Sequence, residues 1–472
     1  MKKHFGILMM VVCAVAYGLE MPSIFTDHMV LQRAAVIRVW GKAPAGQDVT
    51  VTFADNSVTV KAGEDGKWLA KLPPLGPSLE GRDMTIKGDT EITIHDVLVG
   101  DVWLCAGQSN MQFSLRNTDD IASIIESSEN NAIRLLPIPC TWSRTPNDNV
   151  KTAWRQCNPQ TVPNFSAVGY LVGRELQDQV KVPMGLIQIA WGGCRVEAMT
   201  RLEDFDKVFA LKNVAEKVKA EVADIKAKKD EELRKDKQRL STVLYNAMVH
   251  PLGPFAVKGV LWYQGEDNHS EGDIYDAKLK ALAVSWRNCF ANPTLPIYIV
   301  LLPPWQYGNE EGTRIPRFLA AQRRFAESDP YSGFIVTTDL GNPADIHPRN
   351  KIPLASRLAK VVLYKTYGLG DETSLAPTFK SAERADSRVI VSFNNPNGLK
   401  SRDGEPISFL QLAGEDGQFA AANGVVEGNK LIVSSPDIAN PKKIRFGWDK
   451  LANPNLVNKV GNPAMPFEEE VK

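Results

Sequence analysis

The chain has 472 residues, of which 43% are hydrophobic and 23% are charged, and these values are ordinary for a globular protein of more than one domain. Lysine and arginine together number 55, and aspartate and glutamate also number 55, so no net electrostatic field attracts nucleic acid or anionic lipid. We therefore expect no nucleic-acid partner and no membrane partner, and a neutral or weakly charged ligand fits the composition better.

The amino terminus predicts export. Residues 1–18, MKKHFGILMMVVCAVAYG, combine two lysines, an apolar run and the small residues Ala16 and Gly18, which is the pattern of a cleaved signal peptide. The apolar run is too short for a membrane span. We therefore expect a mature chain that begins near Leu19 and is secreted or periplasmic.

The cysteines predict no metal site. Five of them follow the predicted signal, and this odd count leaves at least one thiol unpaired within the chain: Cys105, Cys140, Cys157, Cys194 and Cys289. Their spacing matches no zinc site, and we expect no metal and no other cofactor. Cys105 and Cys194 lie beside candidate site loops, and we expect both to be packed structural thiols rather than reactive ones.

The chain divides into three predicted regions. Residues 19–97 are dense in short β-prone runs such as AVIRVWG, DVTVTF and SVTVKA, and their even spacing predicts a small N-terminal β-sandwich domain. Between residues 98 and 368, apolar strands alternate with helical patterns, which predicts an α/β domain whose parallel sheet is covered on both faces. Short β-like runs then return, so residues 369–472 are predicted to form a smaller C-terminal β region.

Two amphipathic helical patterns occur in the middle region. The stretch FSAVGYLVGRELQDQ carries on one helical face Phe165, Val168, Leu171, Val172 and Leu176. Residues 206–240 have valines and one isoleucine on one side and charged residues elsewhere. Because acidic residues interleave with the lysines, we expect this stretch to be a long helix or helix pair that protrudes from the core as a solvated structural arm.

A candidate nucleophile follows the apolar run DVLVGDVWL, where Gly107 permits a sharp exit from a buried strand. Ser109 stands there between two amides at the end of a strand, where open α/β sheets place their ligands. A serine nucleophile needs a base, and His347 in NPADIHPRNK follows another predicted strand by one loop. We therefore predict that Ser109 and His347 meet at one edge of the sheet, with Asp345 or Asp339 orienting the imidazole.

Two further strand ends offer hydrogen-bond donors for an oxyanion. The run WGG ends one strand, and the bare backbone of Gly192 and Gly193 offers an N–H. The run WYQGEDN ends another strand and places the side-chain amides of Gln264 and Asn268 at the same edge. The nucleophile elbow of α/β-hydrolases does not fit, since Met111 occupies the place of its second glycine.

The motifs GQSNM, WGG, WYQGEDN and DIHPRNK, in this order, resemble those of the sialate O-acetylesterase group of the SGNH hydrolases. The stretches MPSIFTDHMVLQRAA and VWGKAPAGQDVTV are similar to the β domain that precedes the hydrolase domain in that group. The resemblance covers most of the mature chain. It implies a flavodoxin-like, three-layer α/β/α hydrolase domain that removes O-acetyl groups from sugars.

The resemblance also implies roles for three residues. Ser109 matches the nucleophile and His347 matches the general base. Gly193 matches the glycine of the oxyanion hole, which acts there beside the backbone N–H of Ser109.

The sequence departs from the superfamily in two places. Ala344 stands where an aspartate is usual, three residues before the histidine, so Asp345 is the neighbouring candidate for the third catalytic member. The third block reads GEDN at residues 265–268 rather than the usual Gly-x-Asn-Asp. This leaves both Gln264 and Asn268 as candidates for the last donor of the oxyanion hole.

We therefore predict a carbohydrate O-acetylesterase that acts on sialic acid or related glycans through an acetyl-enzyme. The alternatives are an acetylxylan or hemicellulose acetylesterase and, in another class, a non-catalytic glycan-binding surface protein. The carboxylate of sialic acid calls for an arginine, whereas a neutral glycan calls for aromatic platforms. The candidate substrate-binding residues are Gln108, Trp191, Arg195, Glu266 and Arg349, with Trp262, Tyr263 and Trp305 as further aromatic candidates.

Overall fold

A computed structural model describes residues 18–308 and 311–472 of the chain. The predicted signal peptide, residues 1–18, lies outside the described residues except for Gly18. Within the two described ranges, no helix combines the length and the apolar character that crossing a membrane requires. The five cysteines in these ranges are all free thiols.

The N-terminal region is built mainly of antiparallel strands. The first seven strands described are β1 (Val30–Gln32), β2 (Ile37–Lys42), β3 (Asp48–Phe53), β4 (Asn56–Lys61), β5 (Lys67–Leu72), β6 (Ser78–Lys87) and β7 (Glu91–Gly107). Strand β3 pairs with β4 and β6, β6 pairs with β7, and β2 pairs with β5, all in antiparallel register. Along β5, exposed and buried residues alternate, because one face packs on a core and the other meets solvent.

The central sheet is parallel except at one edge. It joins β7 to β8 (Asn130–Pro137), β9 (Arg155–Cys157), β10 (Met184–Ala190), β11 (Gly259–Tyr263), β12 (Ile297–Val300) and β13 (Gly333–Ile335). The order across the sheet is β13-β12-β11-β7-β10-β8-β9, and β9 runs antiparallel to β8. Every residue of β10, β11 and β12 is buried, which explains why these segments are continuous apolar runs in the sequence.

Strand β7 links the N-terminal strands to the central sheet. Its first part pairs with β6, and its last part, residues 101–107, pairs in parallel with β10 and β11. The boundary predicted after residue 97 therefore falls inside one continuous strand. This strand ends at Gly107, directly before the candidate nucleophile.

Helices cover both faces of the central sheet. They are α1 (Ser109–Gln112), α2 (Ala122–Glu126), α3 (Ala167–Val180), α4 (Lys212–Ala227), α5 (Tyr275–Cys289), α6 (Arg314–Ser328) and α7 (Lys351–Val362). Helices α3 and α7 share a core with Trp103 and Cys105 of β7, whereas α5 and α6 share a core with Val102 and Leu104. Successive side chains of a strand point to opposite faces. The mixed α/β fold expected from alternating strands and helices is thus confirmed.

The stretch 206–240 is only partly helical and does not protrude. Its helix α4 packs against α5 in a cluster that contains Phe205, Leu211, Ala215, Val218, Val222, Ala277 and Ala281. The chain then continues through two short 3-10 turns at Asp230–Glu232 and Lys237–Arg239. The prediction of a protruding, solvated arm is therefore wrong, because the apolar side of α4 has a partner helix that periodicity alone does not identify.

The C-terminal region contains two four-stranded antiparallel sheets around a separate core. Its strands are β14 (Thr378–Ala385), β15 (Arg388–Asn394), β16 (Lys400–Ser401), β17 (Leu410–Ala413), β18 (Phe419–Ala421), β19 (Asn423–Glu427), β20 (Lys430–Ser434), β21 (Lys443–Phe446), β22 (Leu456–Val457) and β23 (Phe467–Glu470). The two sheets have the orders β14-β15-β20-β19 and β18-β17-β21-β23. Their buried side chains form one cluster, which includes Val391, Leu412 and Ile444.

Candidate active site

The candidate nucleophile lies at the carboxyl end of β7, near the middle of the central sheet. Gly107 has a φ of +142°, and a Cβ atom at this position would overlap the carbonyl oxygen of Tyr263, so the turn requires glycine. The backbone N–H of Gln108 donates to the same oxygen at 3.0 Å. Ser109 then begins the short helix α1 and is partly exposed.

The glycine loop after β10 lies directly against Ser109. A Cβ atom at Gly192 would lie 3.3 Å from the Cβ of Ser109. The N–H of Gly192 already donates to Oε1 of Gln112 at 2.8 Å. Gly193 follows in the left-handed region, with a φ of +70°. In the described part of the chain, the backbone N–H groups of Gly193 and Ser109 have no hydrogen-bond acceptor. Two backbone donors are therefore available at this point.

The loop that carries His347 packs against α1. The imidazole is 36% exposed and stacks on the ring of Phe113, with 6.4 Å between the ring centroids and 25° between the planes. Phe113 is the residue that follows α1. The imidazole therefore packs on the residue directly after the helix that begins with Ser109.

A buried asparagine provides the second link between these segments. Asn110, directly after Ser109, donates through Nδ2 to the backbone oxygen of Ile346 at 3.0 Å and to Oε1 of Glu266 at 2.5 Å. Its Oδ1 accepts a hydrogen bond from Nζ of Lys351 at 2.6 Å. Asn110 thus joins the ends of β7 and β11 to the histidine loop, and the two predicted partners Ser109 and His347 lie on neighbouring segments of one sheet edge.

Of the two carboxylates considered, Asp345 is next to the imidazole. Its Oδ1 accepts the backbone N–H of His347 at 2.8 Å and lies 3.9 Å from Nδ1 of the ring. Asp339 instead accepts two hydrogen bonds from the guanidinium of Arg357, at 2.9 and 2.7 Å. Burial lowers the pKa of His347 below its usual value, while the charge of Asp345 opposes this effect and the charge of Lys351 adds to it.

The two side-chain amides predicted for the oxyanion hole are engaged within the protein. Nε2 of Gln264 has acceptors in Oε1 of Gln108 at 3.1 Å, the backbone oxygen of Cys194 at 3.0 Å and Oδ1 of Asn268 at 2.9 Å. Nδ2 of Asn268 donates to Glu197 at 3.0 Å and Glu271 at 2.8 Å. Both side chains are fully buried. In this arrangement neither amide keeps an N–H for an oxyanion, and both instead hold the loop after β11 in place.

The predicted arginines are already paired with carboxylates. Arg195 contacts Glu271 and lies 3.3 Å from Oε1 of Glu197. Arg349 is 58% exposed and lies 2.9 Å from Oδ1 of Asp119. Both side chains are therefore near the site in sequence, and each has its own anionic partner.

The remaining predicted contacts divide between the site surface and the core. Trp191 and Trp305 are partly exposed, whereas Trp262 and Tyr263 are fully buried. The suggestion that these last two serve as sugar platforms is therefore wrong, because a platform needs an open ring face. Glu266 is buried as well and binds Asn110 rather than facing solvent.

Gln108, directly before the nucleophile, uses its side-chain oxygen for hydrogen bonds within the protein. Gln108 is buried and its Oε1 accepts from Gln264 and from the N–H of Gly265, whereas its Nε2 has no acceptor among the residues described.

Burial raises the pKa of the Cys105 thiol to about 12 and also raises that of Cys194. The packed, unreactive state predicted for both thiols fits these environments.

The sequence reading missed Lys351. This side chain is fully buried, and its Nζ lies 5.0 Å from the ring centre of Phe113 and 5.4 Å from that of Tyr263. Burial lowers its pKa to about 7. Lys351 is the last residue of the motif DIHPRNK, and its partners come from distant segments of the chain. Local periodicity therefore does not reveal that this side chain is buried.

The fold as a whole matches a solved carbohydrate esterase. A crystal structure described as that of a novel carbohydrate acetylesterase from Xanthomonas citri superposes with a TM-score of 0.86 and 31% sequence identity. The match covers 96% of this chain and 99% of that chain. The architecture therefore places the protein in the class of carbohydrate esterases.

A family model described as carbohydrate esterase, sialic acid-specific acetylesterase, matches residues 99–363. The chain belongs to this family. The sialate O-acetylesterase of Mus musculus is 27% identical over 445 residues, which cover 82% of each protein. That of Pongo abelii is 30% identical over 295 residues, which cover 58% of this chain and 54% of the relative, so this match spans about half of the relative's length.

Proposed function

We propose that this protein is a carbohydrate O-acetylesterase that hydrolyses acetyl esters on sialic acid or related glycans, with Ser109 as nucleophile and His347 as general base. The observation that carries the proposal is the packing of the histidine loop on α1 through Phe113 and Asn110. This packing supports a pairing of Ser109 with His347, both of which are partly exposed. Membership of the carbohydrate esterase family supports the same chemistry.

The proposed reaction has two steps. His347 accepts the proton of Ser109 Oγ while that oxygen attacks the acetyl carbonyl carbon, and the N–H groups of Ser109 and Gly193 bind the resulting oxyanion. As the bond to the sugar oxygen breaks, His347 returns the proton to that oxygen, and the acetyl group stays on Ser109. Water then attacks the acetyl group and gives a proton to His347, and acetate leaves as Ser109 regains that proton.

We also propose an SGNH hydrolase domain at residues 98–368, preceded by a β-sandwich domain at residues 19–97 and followed by a β region at residues 369–472. The strand order β10-β7-β11-β12-β13 supports the first assignment. If these five strands are numbered along the chain and β8 and β9 are left out, their order across the sheet is 2-1-3-4-5, as in flavodoxin-like sheets. A secreted or periplasmic location is proposed from residues 1–18.

The proposal is tested by measuring acetate release from O-acetylated sialic acid, from an acetylated xylo-oligosaccharide and from a chromogenic acetate ester. Faster release from sialic acid supports the sialate assignment. Faster release from the xylo-oligosaccharide supports an acetylxylan esterase, an alternative favoured by the carboxylate partners of Arg195 and Arg349. Binding of a glycan with no acetate release from any substrate would instead indicate a non-catalytic glycan-binding protein.

The pH dependence tests the role of Asp345. Because burial lowers the pKa of His347 and only the neutral imidazole accepts a proton, we expect kcat/KM to persist below the usual histidine pKa of 6.5 and to fall at lower pH. Replacing Asp345 by asparagine removes a charge that raises this pKa. The acid limb of the pH–rate profile should therefore move to lower pH in Asp345→Asn.

The matched control for this charge change is Asp178→Asn, an exposed site at the end of α3. We expect its acid limb to coincide with that of the wild type. A limb that does not move in Asp345→Asn, or that moves to higher pH, would show that the carboxylate does not act on the imidazole.

Asn110 offers a test of the link between the loops. In Asn110→Ala, the buried groups of Lys351 and Glu266 lose their shared hydrogen-bond partner, and unpaired buried groups cost about 1–3 kcal/mol, or more when charged. We expect a loss of about 2–3 kcal/mol in the free energy of unfolding, measured by denaturant titration, together with a lower kcat. The control is Asn440→Ala, at an exposed hydrogen bond with Arg384. Unchanged stability and kcat in Asn110→Ala would show that this link is dispensable.

A further inference from the structure

Residues 233–240, called the 233–240 segment below, are fixed to the body of the protein at both ends and at one side. Leu233 and Leu240, at its two ends, are 7% and 5% exposed. Arg239 forms an ion pair with Asp267, which belongs to the loop after β11. This loop also carries Glu266, the hydrogen-bond partner of Asn110. The segment is therefore attached to the rim of the candidate active site.

The middle of the segment is anchored by Lys237. Its Nζ lies 5.3 Å from the ring centre of Trp142 and donates to the backbone oxygen of Asp230 at 2.7 Å. A cation on an indole face is a favourable contact. Together with the Arg239 ion pair, this contact fixes the backbone on both sides of the residue between them, Gln238.

Gln238 lies over the glycine loop. A Cβ atom built at Gly193 would lie 3.5 Å from Nε2 of Gln238, so the carboxamide borders the backbone donor proposed for the oxyanion. The side chain is half-buried. Among residues 18–308 and 311–472, its carboxamide has no hydrogen-bond partner, although both neighbours in the segment are held by specific contacts.

We propose that Gln238 contacts the substrate and determines its specificity by hydrogen bonding to hydroxyl groups of the sugar that carries the acetyl ester. This inference rests on the proposed function, because it uses the position of the ester at Ser109 and Gly193. An oxyanion held by these two N–H groups places the carbonyl carbon beside Gly193, and the sugar extends outward from there. Gln238 is the carboxamide that borders this path.

The chemistry of the side chain indicates the class of group it recognises. A carboxamide carries two N–H donors and one carbonyl acceptor and has no charge. A hydroxyl group both donates and accepts, so the vicinal hydroxyls of a pyranose match this pattern. The neighbouring cation, Arg239, is already paired with Asp267, so recognition of the sugar is left to the neutral amide.

The test compares Gln238→Ala with wild type on two substrates, an O-acetylated glycan and a chromogenic acetate ester without sugar hydroxyls. We expect the ratio of kcat/KM for the glycan to kcat/KM for the chromogenic ester to fall about tenfold, which corresponds to about 1.4 kcal/mol. Most of the change should be a higher KM for the glycan. Gln238→Asn, which keeps the carboxamide on a shorter side chain, should give an intermediate ratio.

Gln179→Ala, at the surface end of α3, is the matched control and should leave the ratio unchanged. An unchanged ratio in Gln238→Ala, with both substrates still hydrolysed, would overturn this inference and leave the proposed function intact. An equal loss on both substrates would also overturn it, because that result assigns Gln238 to the support of the glycine loop. A wild-type protein that hydrolyses neither substrate would overturn the proposed function itself.

Discussion

Replacing Ser109 with alanine is expected to lower kcat for acetate release by on the order of a millionfold, as removal of the nucleophile does in serine hydrolases of the triad type. The change deletes one oxygen atom, Oγ, that has no hydrogen-bond partner in the described chain. No buried group is therefore left unpaired, and the free energy of unfolding should change by no more than about 0.5 kcal/mol. The measurement combines steady-state kinetics on an acetate ester with denaturant unfolding.

Ser127→Ala is the matched control, since this serine is exposed and its hydroxyl bonds only to nearby backbone oxygens. Its kcat should equal that of the wild type. A Ser109→Ala protein that folds normally and releases acetate at the wild-type rate would exclude Ser109 as the nucleophile.

Replacing His347 with alanine is expected to have the second largest effect. Without the base, the hydroxyl of Ser109 keeps its proton at neutral pH, and kcat should fall at least about ten-thousandfold. Because the imidazole is 36% exposed and stacks on Phe113, its loss opens a space at the surface. Added imidazole should enter this space and restore part of the rate on a small ester.

The double variant separates catalysis from damage to the fold. Nucleophile and base act as one unit, so Ser109→Ala combined with His347→Ala should be no slower than the worse single variant. His95→Gln is the control, because this histidine is 60% exposed and lies in the N-terminal region. Additive losses in the double variant, or a strong loss in His95→Gln, would contradict a joint role for Ser109 and His347.

Local sequence patterns predicted best the strands that are buried on both faces and the helices that bury one continuous apolar face. Strands β10, β11 and β12 are continuous apolar runs because helices cover both sides of them, and α3 buries the apolar face that its periodicity predicts. The stretch 206–240 differs because its valines show amphipathicity without showing what they pack against. Only the folded chain shows that α5 covers them.

Ser109, His347 and Gly193 were predicted because each follows a strand, and the ends of parallel strands share one edge. Lys351 and Asn110 were not predicted as parts of the site, since their burial depends on hydrogen bonds between segments far apart in sequence. The hydrogen bonds of Gln264 and Asn268 were not foreseen for a related reason. An amide at a strand end signals a donor, but the sequence does not show that other loops already supply its acceptors.

The most direct measurement is the mass of the protein quenched with acid during turnover of an excess of an acetate ester, followed by peptide mapping. We predict a species heavier by one acetyl group, with the modification on Ser109, and its accumulation should disappear in Ser109→Ala. Rapid acetate release with no acetylated protein, or with the acetyl group on another residue, would contradict the account.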